Sequence, residues 1–356
     1  MDLTALGWEP VLAGAFAPHA ERGLVPGRVA LEHTHIYRVL TENGEWLSRV
    51  SGRLRHQAAH RADFPAVGDW VALEPPAHGG DARILVVLPR FSRFSRRAAG
   101  DPTEEQIVAA NVNTVFLVSG LDADFNPRRI ERYLVVAWES GAAPIIVLNK
   151  ADLVEDVGEF VDEVQRMAPA VPVHPISTRH PDSLATLRAY LAHGQTAALL
   201  GSSGVGKSTI VNTLIGKELL RTREVRDWDD RGRHTSTVRQ LIVLPEGGVL
   251  IDTPGLRELQ LWETGSALTG AFSDVDALAA ECRFRDCRHE NEPGCAVNAA
   301  VDAGTLSPER LTSYQKLRDE QEFQARQQDQ RAQIEQKRKA RIGSKALAQR
   351  LKDKRR

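Results

Sequence analysis

Cysteine is scarce: the 356 residues contain three, all between positions 282 and 295. Three thiols cannot form an even disulfide set, which argues against a disulfide-stapled scaffold and points to metal binding. Long apolar runs are also missing. None approaches the roughly 20 residues that a membrane-crossing helix needs, so no span is expected. The first 30 residues include Glu9 and Glu21 and lack a basic start followed by an apolar stretch, so no secretory leader is indicated and the expected compartment is the cytoplasm. Net charge is nearly absent, at −1, yet it is segregated. Residues 321–356 carry 12 Lys/Arg against 4 Asp/Glu, whereas residues 1–320 are acidic. A basic, Gln-rich tail on an acidic body fits either a polyanion contact or a solvated helix.

A hydrophobic content of 42% in a chain of this length allows two or three cores. Between about 28 and 90, short β-type runs (Arg28 to Leu31, Ile36 to Leu40, Asp69 to Leu73, Ile84 to Leu88) are separated by turn clusters such as Glu42-Asn43-Gly44. Such spacing without intervening helices predicts a small β-barrel. From about residue 101 apolar strands alternate with helix-length segments: Thr114 to Val118, Pro144 to Leu148, Val171 to Ile176 and Thr196 to Leu200. This is the rhythm of an α/β domain with a mostly parallel sheet. Asn126, Pro127 and Gly141 punctuate one helix as cap, first position and terminator. From about 263 a cysteine-bearing segment turns helical at Ser307-Pro308-Glu309. The expected boundaries are 1–98, 99–262, 263–322 and a basic tail, 323–356.

Gly201-Ser202-Ser203-Gly204-Val205-Gly206-Lys207-Ser208, followed by Thr209, lies between a strand and a helix. That is the setting in which G-x-x-x-x-G-K-[ST] cradles phosphates with backbone N–H groups at a helix N-terminus. Lys207 is expected to reach the β- and γ-phosphates, and the Ser208 hydroxyl to ligate Mg²⁺. Asn149-Lys150-Ala151-Asp152 follows a strand and matches the guanine motif N-K-x-D. The Asp152 carboxylate accepts from guanine N1–H and the 2-amino group, whereas adenine N1 offers it only another acceptor. Ser177 and Thr178 resemble the short motif that meets guanine O6. Asp252-Thr253-Pro254-Gly255 resembles the second switch, with Asp252 and Gly255 facing Mg²⁺ and the γ-phosphate. Gly232 to Thr237 supplies hydroxyls for a first switch. In ordinary GTPases the phosphate loop precedes the guanine motif. Here it follows, so the domain is circularly permuted, which a compact domain with neighbouring termini tolerates.

Cys282, Cys287, His289 and Cys295 offer three thiolates and one imidazole, a donor set for one closed tetrahedral Zn²⁺ in a structural role. Together with Gly27-Arg28-Val29, Val67 to Val71, Ala109 to Asn113 and Cys282 to Ala296, these motifs make the chain resemble the RsgA family of small ribosomal subunit biogenesis GTPases, also called YjeQ or EngC. The resemblance implies an OB-type barrel, a permuted GTPase and a zinc domain acting late in 30S maturation. It implies GTP/GDP, the 30S subunit and 16S rRNA as partners, no membrane, and a monomer. It makes Arg28, Arg53, Arg55, Arg93, Arg96 and Arg97 on the barrel, with the Lys/Arg of 337–356, the expected RNA contacts. The family shows G-[RKQ]-H-T-T-T in the first switch, whereas here the middle hydroxyl belongs to Ser236. Ser236 is favoured as the Mg²⁺-facing hydroxyl, with Thr235 second. Leu256 stands where Ras-like enzymes place a water-orienting glutamine, so His234 is the candidate catalytic group, its alternatives being a ribosome contact or an exposed histidine. The alternative function is a GTP-gated rRNA-binding module in which hydrolysis is incidental.

Overall fold

The computed structural model describes residues 1–33, 36–77, 79–98, 101–216, 239–245, 247–252, 266–323 and 325–326. The chain divides into two compact units, Met1–Ala98 with Glu104–Gln260, and Ala99–Thr103 with Leu261–Arg356.

In the first unit, β1 (Val25–His33), β2 (Ile36–Thr41), β3 (Gly44–Val50), β4 (Trp70–Glu74) and β5 (Ala82–Val87) are joined in the order β1-β2-β3-β5-β4, and β4 pairs back onto β1. The sheet therefore closes into the expected barrel, with β3 and β5 parallel and the other pairs antiparallel. Its interior is filled by Val29, Tyr37, Val39, Val71, Leu73 and Ile84. Gly27 permits this closure, since a Cβ there would stand 2.6 Å from the Val39 side chain and 2.7 Å from that of Leu73.

Next comes a hairpin of β6 (Arg93–Ala98) and β7 (Asp101–Ala110). The sequence pattern placed the start of the α/β rhythm at about 101, but β7 pairs with β6 in a two-stranded sheet of its own. The α/β sheet proper begins with β8 (Thr114–Gly120) and continues with β9 (Ala143–Asn149), β10 (Val173–Pro175), β11 (Thr196–Leu200), β12 (Gln240–Val243) and β13 (Val249–Asp252). Its order is β10-β9-β8-β11-β13-β12, parallel except for β12. β8 and β11 are buried along their whole length, as strands covered on both faces must be. A further pairing, Leu31↔Gln240, joins β12 to β1. The helix Pro127–Ser140 keeps its expected punctuation: the Asn126 side chain accepts from the Arg129 N–H, and Gly141 ends it at φ 85°.

Arg28 is a correction. Expected to face RNA, it is only 1% exposed. Its guanidinium donates to the carbonyls of Leu6, Gly68 and Asn111 and to Thr196 Oγ1. Burial, partly offset by Asp69 and Glu9, pulls its pKa down to about 9. A group so fully engaged holds segments together and has no face left for a phosphate.

In the second unit, the helices Ser266–Ala271, Ser273–Ala279, Ala296–Asp302 and a helix over 308–323 pack around Phe272, Val275, Val297, Leu311, Tyr314 and Leu317. Ser307 caps the last, accepting from the Arg310 N–H at 3.1 Å. Arg310 lies 4.2 Å from the Phe272 ring centroid and bonds the Asp274 carboxylate at 2.8 and 3.0 Å. Among the described residues no helix is long and apolar enough to cross a membrane.

Candidate nucleotide and metal sites

The parallel registers bring one edge of the sheet together. Gly120 stands opposite Asn149, Leu117 opposite Leu200, Leu148 opposite Pro175, and Ala198 opposite Ile251. The carboxyl ends of β8, β9, β10, β11 and β13 therefore lie along the same edge, where open α/β sheets bind ligands. The guanine motif, Ser177-Thr178, the phosphate loop and Asp252 gather there although the chain visits them in permuted order.

The phosphate loop turns from β11 into the helix Lys207–Ile215. Gly204 (φ 84°) and Gly206 (φ 97°) take the left-handed conformation that glycine adopts without strain. Gly201 passes so close to β8 that a Cβ would come within 2.4 Å of the Val118 carbonyl. Val205 is buried, while Ser203 and Gly204 are exposed at the crest and Ser208 and Thr209 are half-buried. Lys207 Nζ donates to the carbonyls of Gly201 and Ser202 at 2.7 and 2.6 Å, arching over the loop it serves.

Asn149, 1% exposed, donates from Nδ2 to the Val205 carbonyl at 2.7 Å, which ties the guanine motif to the phosphate loop. The contact is tight: a Cβ on Gly206 would stand 2.3 Å from that same nitrogen. Lys150 is held at φ 65°. The Asp152 carboxylate accepts from Ser177 Oγ and pairs with Arg179 at 3.2 Å. The Ser177 hydrogen bond first, and then the Arg179 charge, hold its pKa below the ordinary carboxylate value. Thr178 is half-buried beside them.

Four further residues were missed by sequence reasoning. Asp122 pairs with Lys150 Nζ at 2.5 Å, and Asp124 accepts from Ser202 Oγ at 2.6 Å. Arg179 pairs with Asp152, and Ser183 Oγ accepts from the Ser177 N–H at 3.0 Å. The position of Asp122 and Asp124 just past an apolar strand was the available signal, but a short acidic turn has many uses.

In the second unit Cys282, Cys287, His289 and Cys295 bring their ligand atoms within 4.8 Å of one another, a group that could hold a metal ion. Sγ of Cys282 lies 3.9 Å from that of Cys295, and His289 Nδ1 lies 3.7 and 3.5 Å from the two. The backbone of His289 is set at φ 60°, and its carbonyl accepts from Gln315 Nε2 at 2.6 Å, which anchors the knuckle to the 308–323 helix. Burial, aided by the Arg318 charge, lowers the imidazole pKa and favours the neutral, ligating form.

Gly232 to Thr237, with His234, Thr235 and Ser236, lies outside the described residues, as do Gly255, Leu256 and the tail at 337–356. Of the other barrel arginines, Arg53 and Arg55 are exposed on the short helix Gly52–Gln57. Arg93 is exposed and pairs with Glu105 at 3.6 Å. Arg96 is half-buried, its Nε donating to Gln106 Oε1 at 3.3 Å. The Arg97 side chain is outside the described residues.

A model of the RsgA GTPase family matches residues 87–262. A model of the ABC transporter family matches 184–349, a range that shares the phosphate loop and excludes the guanine motif. The chain is 51% identical over 338 residues, 92% of each protein, to "Small ribosomal subunit biogenesis GTPase RsgA" of Opitutus terrae. It is 43% identical over 321 residues to the protein of that name in Methanosarcina acetivorans, covering 90% of this chain and 85% of the other. Among solved structures it is similar to YjeQ from Thermotoga maritima, with TM-score 0.65 and 28% identity over 84% of this chain and 98% of that one. It also shares the fold of YloQ, described as a circularly permuted GTPase, with TM-score 0.60 and 24% identity over 84% of this chain and 96% of that one.

Proposed function

Because the chain belongs to the RsgA family of small ribosomal subunit biogenesis GTPases and is a GTP-hydrolysing enzyme, we propose that it acts late in maturation of the 30S subunit, in the cytoplasm, and that hydrolysis of GTP to GDP and phosphate drives its release. The observation that carries this reading is the buried bridge from Asn149 to Val205, which sets a base-reading motif against a phosphate-reading loop on one sheet edge.

In this reading Asp152 accepts from the guanine N1–H and 2-amino group, Lys150 packs its stem along the ring, and Ser177 and Thr178 face O6. Gly201 to Thr209 bind the phosphates, and Ser208 and Asp252 are the residues that would hold Mg²⁺, which would supply charge neutralisation for phosphoryl transfer. Gly255 meets the γ-phosphate. Leu256 gives the attacking water no polar partner, so stimulation by the subunit acts through the first switch, in which His234 would face the water and Ser236 or Thr235 would be the hydroxyl that holds the metal. Arg53, Arg55, Arg93, Arg96, Arg97 and the basic tail contact 16S rRNA. The expected 1–98, 99–262, 263–322 and 323–356 boundaries stand as part of the same proposal, as does action as a monomer.

The knuckle's metal is zinc. Cys282, Cys287, His289 and Cys295 would hold it, three thiolates and one imidazole being a donor set that suits a closed tetrahedral zinc. No position is left for substrate, so the ion is structural. Metal analysis should return one zinc per chain, and Cys287→Ala should unfold the knuckle.

Single-turnover GTP hydrolysis with and without 30S subunits tests the whole. Stimulation by the subunit that His234→Ala abolishes while GTP and 30S binding persist supports the enzyme reading. Rapid hydrolysis by the free chain, or full stimulation in His234→Ala, places the catalytic group elsewhere.

A further inference from the structure

The turn after β8 touches both halves of the nucleotide site. It starts at Leu121, whose N–H donates to the Asn149 carbonyl at 2.8 Å and so fastens the turn to the guanine motif through backbone. Asp122 folds back under the strand end, where a Cβ on Gly120 would sit 2.9 Å from its Oδ1. Its other oxygen receives Lys150 Nζ, and that bond is the leading cause of a carboxyl pKa below the ordinary range. Two residues on, the Asp124 N–H donates to Asp122 Oδ1 at 3.1 Å. The Asp124 carboxylate faces the other way, taking Ser202 Oγ at 2.6 Å and Arg129 at 3.0 Å. Those two contacts, the hydroxyl first, lower its pKa as well. Phe125 pins the turn against Phe160 edge-on at 5.0 Å.

We propose that Asp122 and Asp124 are positioning residues of the GTPase: Asp122 orients the Lys150 stem for the base, Asp124 orients the phosphate loop through Ser202, and the rigid turn between them makes base and phosphate recognition interdependent. This rests on the guanine-motif reading above. Lysine carries several rotatable bonds, and a stem that packs on a ring gains most when its ammonium is already tethered. Ser202 precedes the exposed crest of the loop, so its hydroxyl fixes where the backbone donors of Ser203 and Gly204 point. Neither carboxylate needs to touch the nucleotide.

The test uses the full-length, metal-replete chain and two ligands, GDP and GMP, the second carrying the base without the β-phosphate. Asp122→Asn should weaken GMP about tenfold and GDP by more than that, and raise the KM for GTP while kcat changes less than about threefold. Asp124→Asn and Ser202→Ala should weaken GDP several-fold and GMP by a smaller factor, about two- to threefold. The double variant Asp122→Asn/Asp124→Asn should lose less than the product of the single losses on GDP, the mark of coupled sites. Asp122→Asn with unchanged GMP affinity, Asp124→Asn weakening both ligands alike, or strictly multiplicative losses would overturn the proposal. Asp152→Asn, assayed in parallel with xanthosine diphosphate, isolates the underlying reading. If that variant gains no xanthine preference, the base assignment fails whatever Asp122 does.

Discussion

The base-reading half and the phosphate-reading half of the site are built differently. In the base half each side chain is tethered to another part of the protein: Asn149 to the phosphate loop, Lys150 to Asp122, Asp152 to Ser177 and Arg179. In the phosphate half Lys207 is bonded to the carbonyls of its own loop, and the crest residues Ser203 and Gly204 are exposed. In the proposed reading, base selection would rest on a framework already assembled, whereas phosphate binding would exchange internal hydrogen bonds of the loop for bonds to the ligand. Discrimination between bases would then cost little rearrangement, and the phosphate side would be the part that responds to what is bound.

The largest expected effect lies in the phosphate half. Lys207→Ala should lower kcat/KM for GTP by about 100-fold or more, with loss of GDP affinity but not of GMP affinity, measured by steady-state turnover and equilibrium binding. Equal losses for GMP would erase the distinction between the halves. Gly206→Ala comes next, because it acts where the halves meet. A Cβ at φ 97° and 2.3 Å from Asn149 Nδ2 should weaken GDP and GMP together by about 30-fold and destabilise the fold by about 2 kcal/mol in urea unfolding. A variant with wild-type GMP affinity would show that the contact relaxes freely. Ser177→Ala is the smallest. It removes one donor from the Asp152 carboxylate while Arg179 remains, so guanine nucleotide affinity should fall by about tenfold or less, without loss of preference over adenine. Loss of that preference would make Ser177 a reader of the base.

Much of this was legible in the sequence, and the failures share a cause. Local chemistry announced the strand–turn–helix over Gly201 to Ser208, the strand end at Asn149, the cap at Asn126 and the Cys/His cluster, since spacing along the chain sets their geometry. The β6–β7 hairpin escaped because polar cross-strand contacts, Arg93 with Glu105 and Arg96 with Gln106, replace the usual apolar alternation. β10 proved shorter than its apolar run, spanning Val173–Pro175. Asp122, Asp124 and Arg179 take their meaning from partners 25 or more residues away. Arg28 misled most, since a basic residue in a barrel strand suggests a surface, and nothing nearby reveals that four distant segments enclose it.

That enclosure bears on how the chain is made. The most distant partner of Arg28, Thr196, is 168 residues away, and the guanidinium bonds it at 2.8 Å. While the ribosome is still extending the polypeptide toward Thr196, the barrel strands can pair, yet two of the four acceptors of Arg28, Asn111 and Thr196, are still missing, and burying a cation short of acceptors is disfavoured. Closure of that polar corner is then expected to be a late, long-range step, and the first hundred residues expressed alone should remain loosely packed around it.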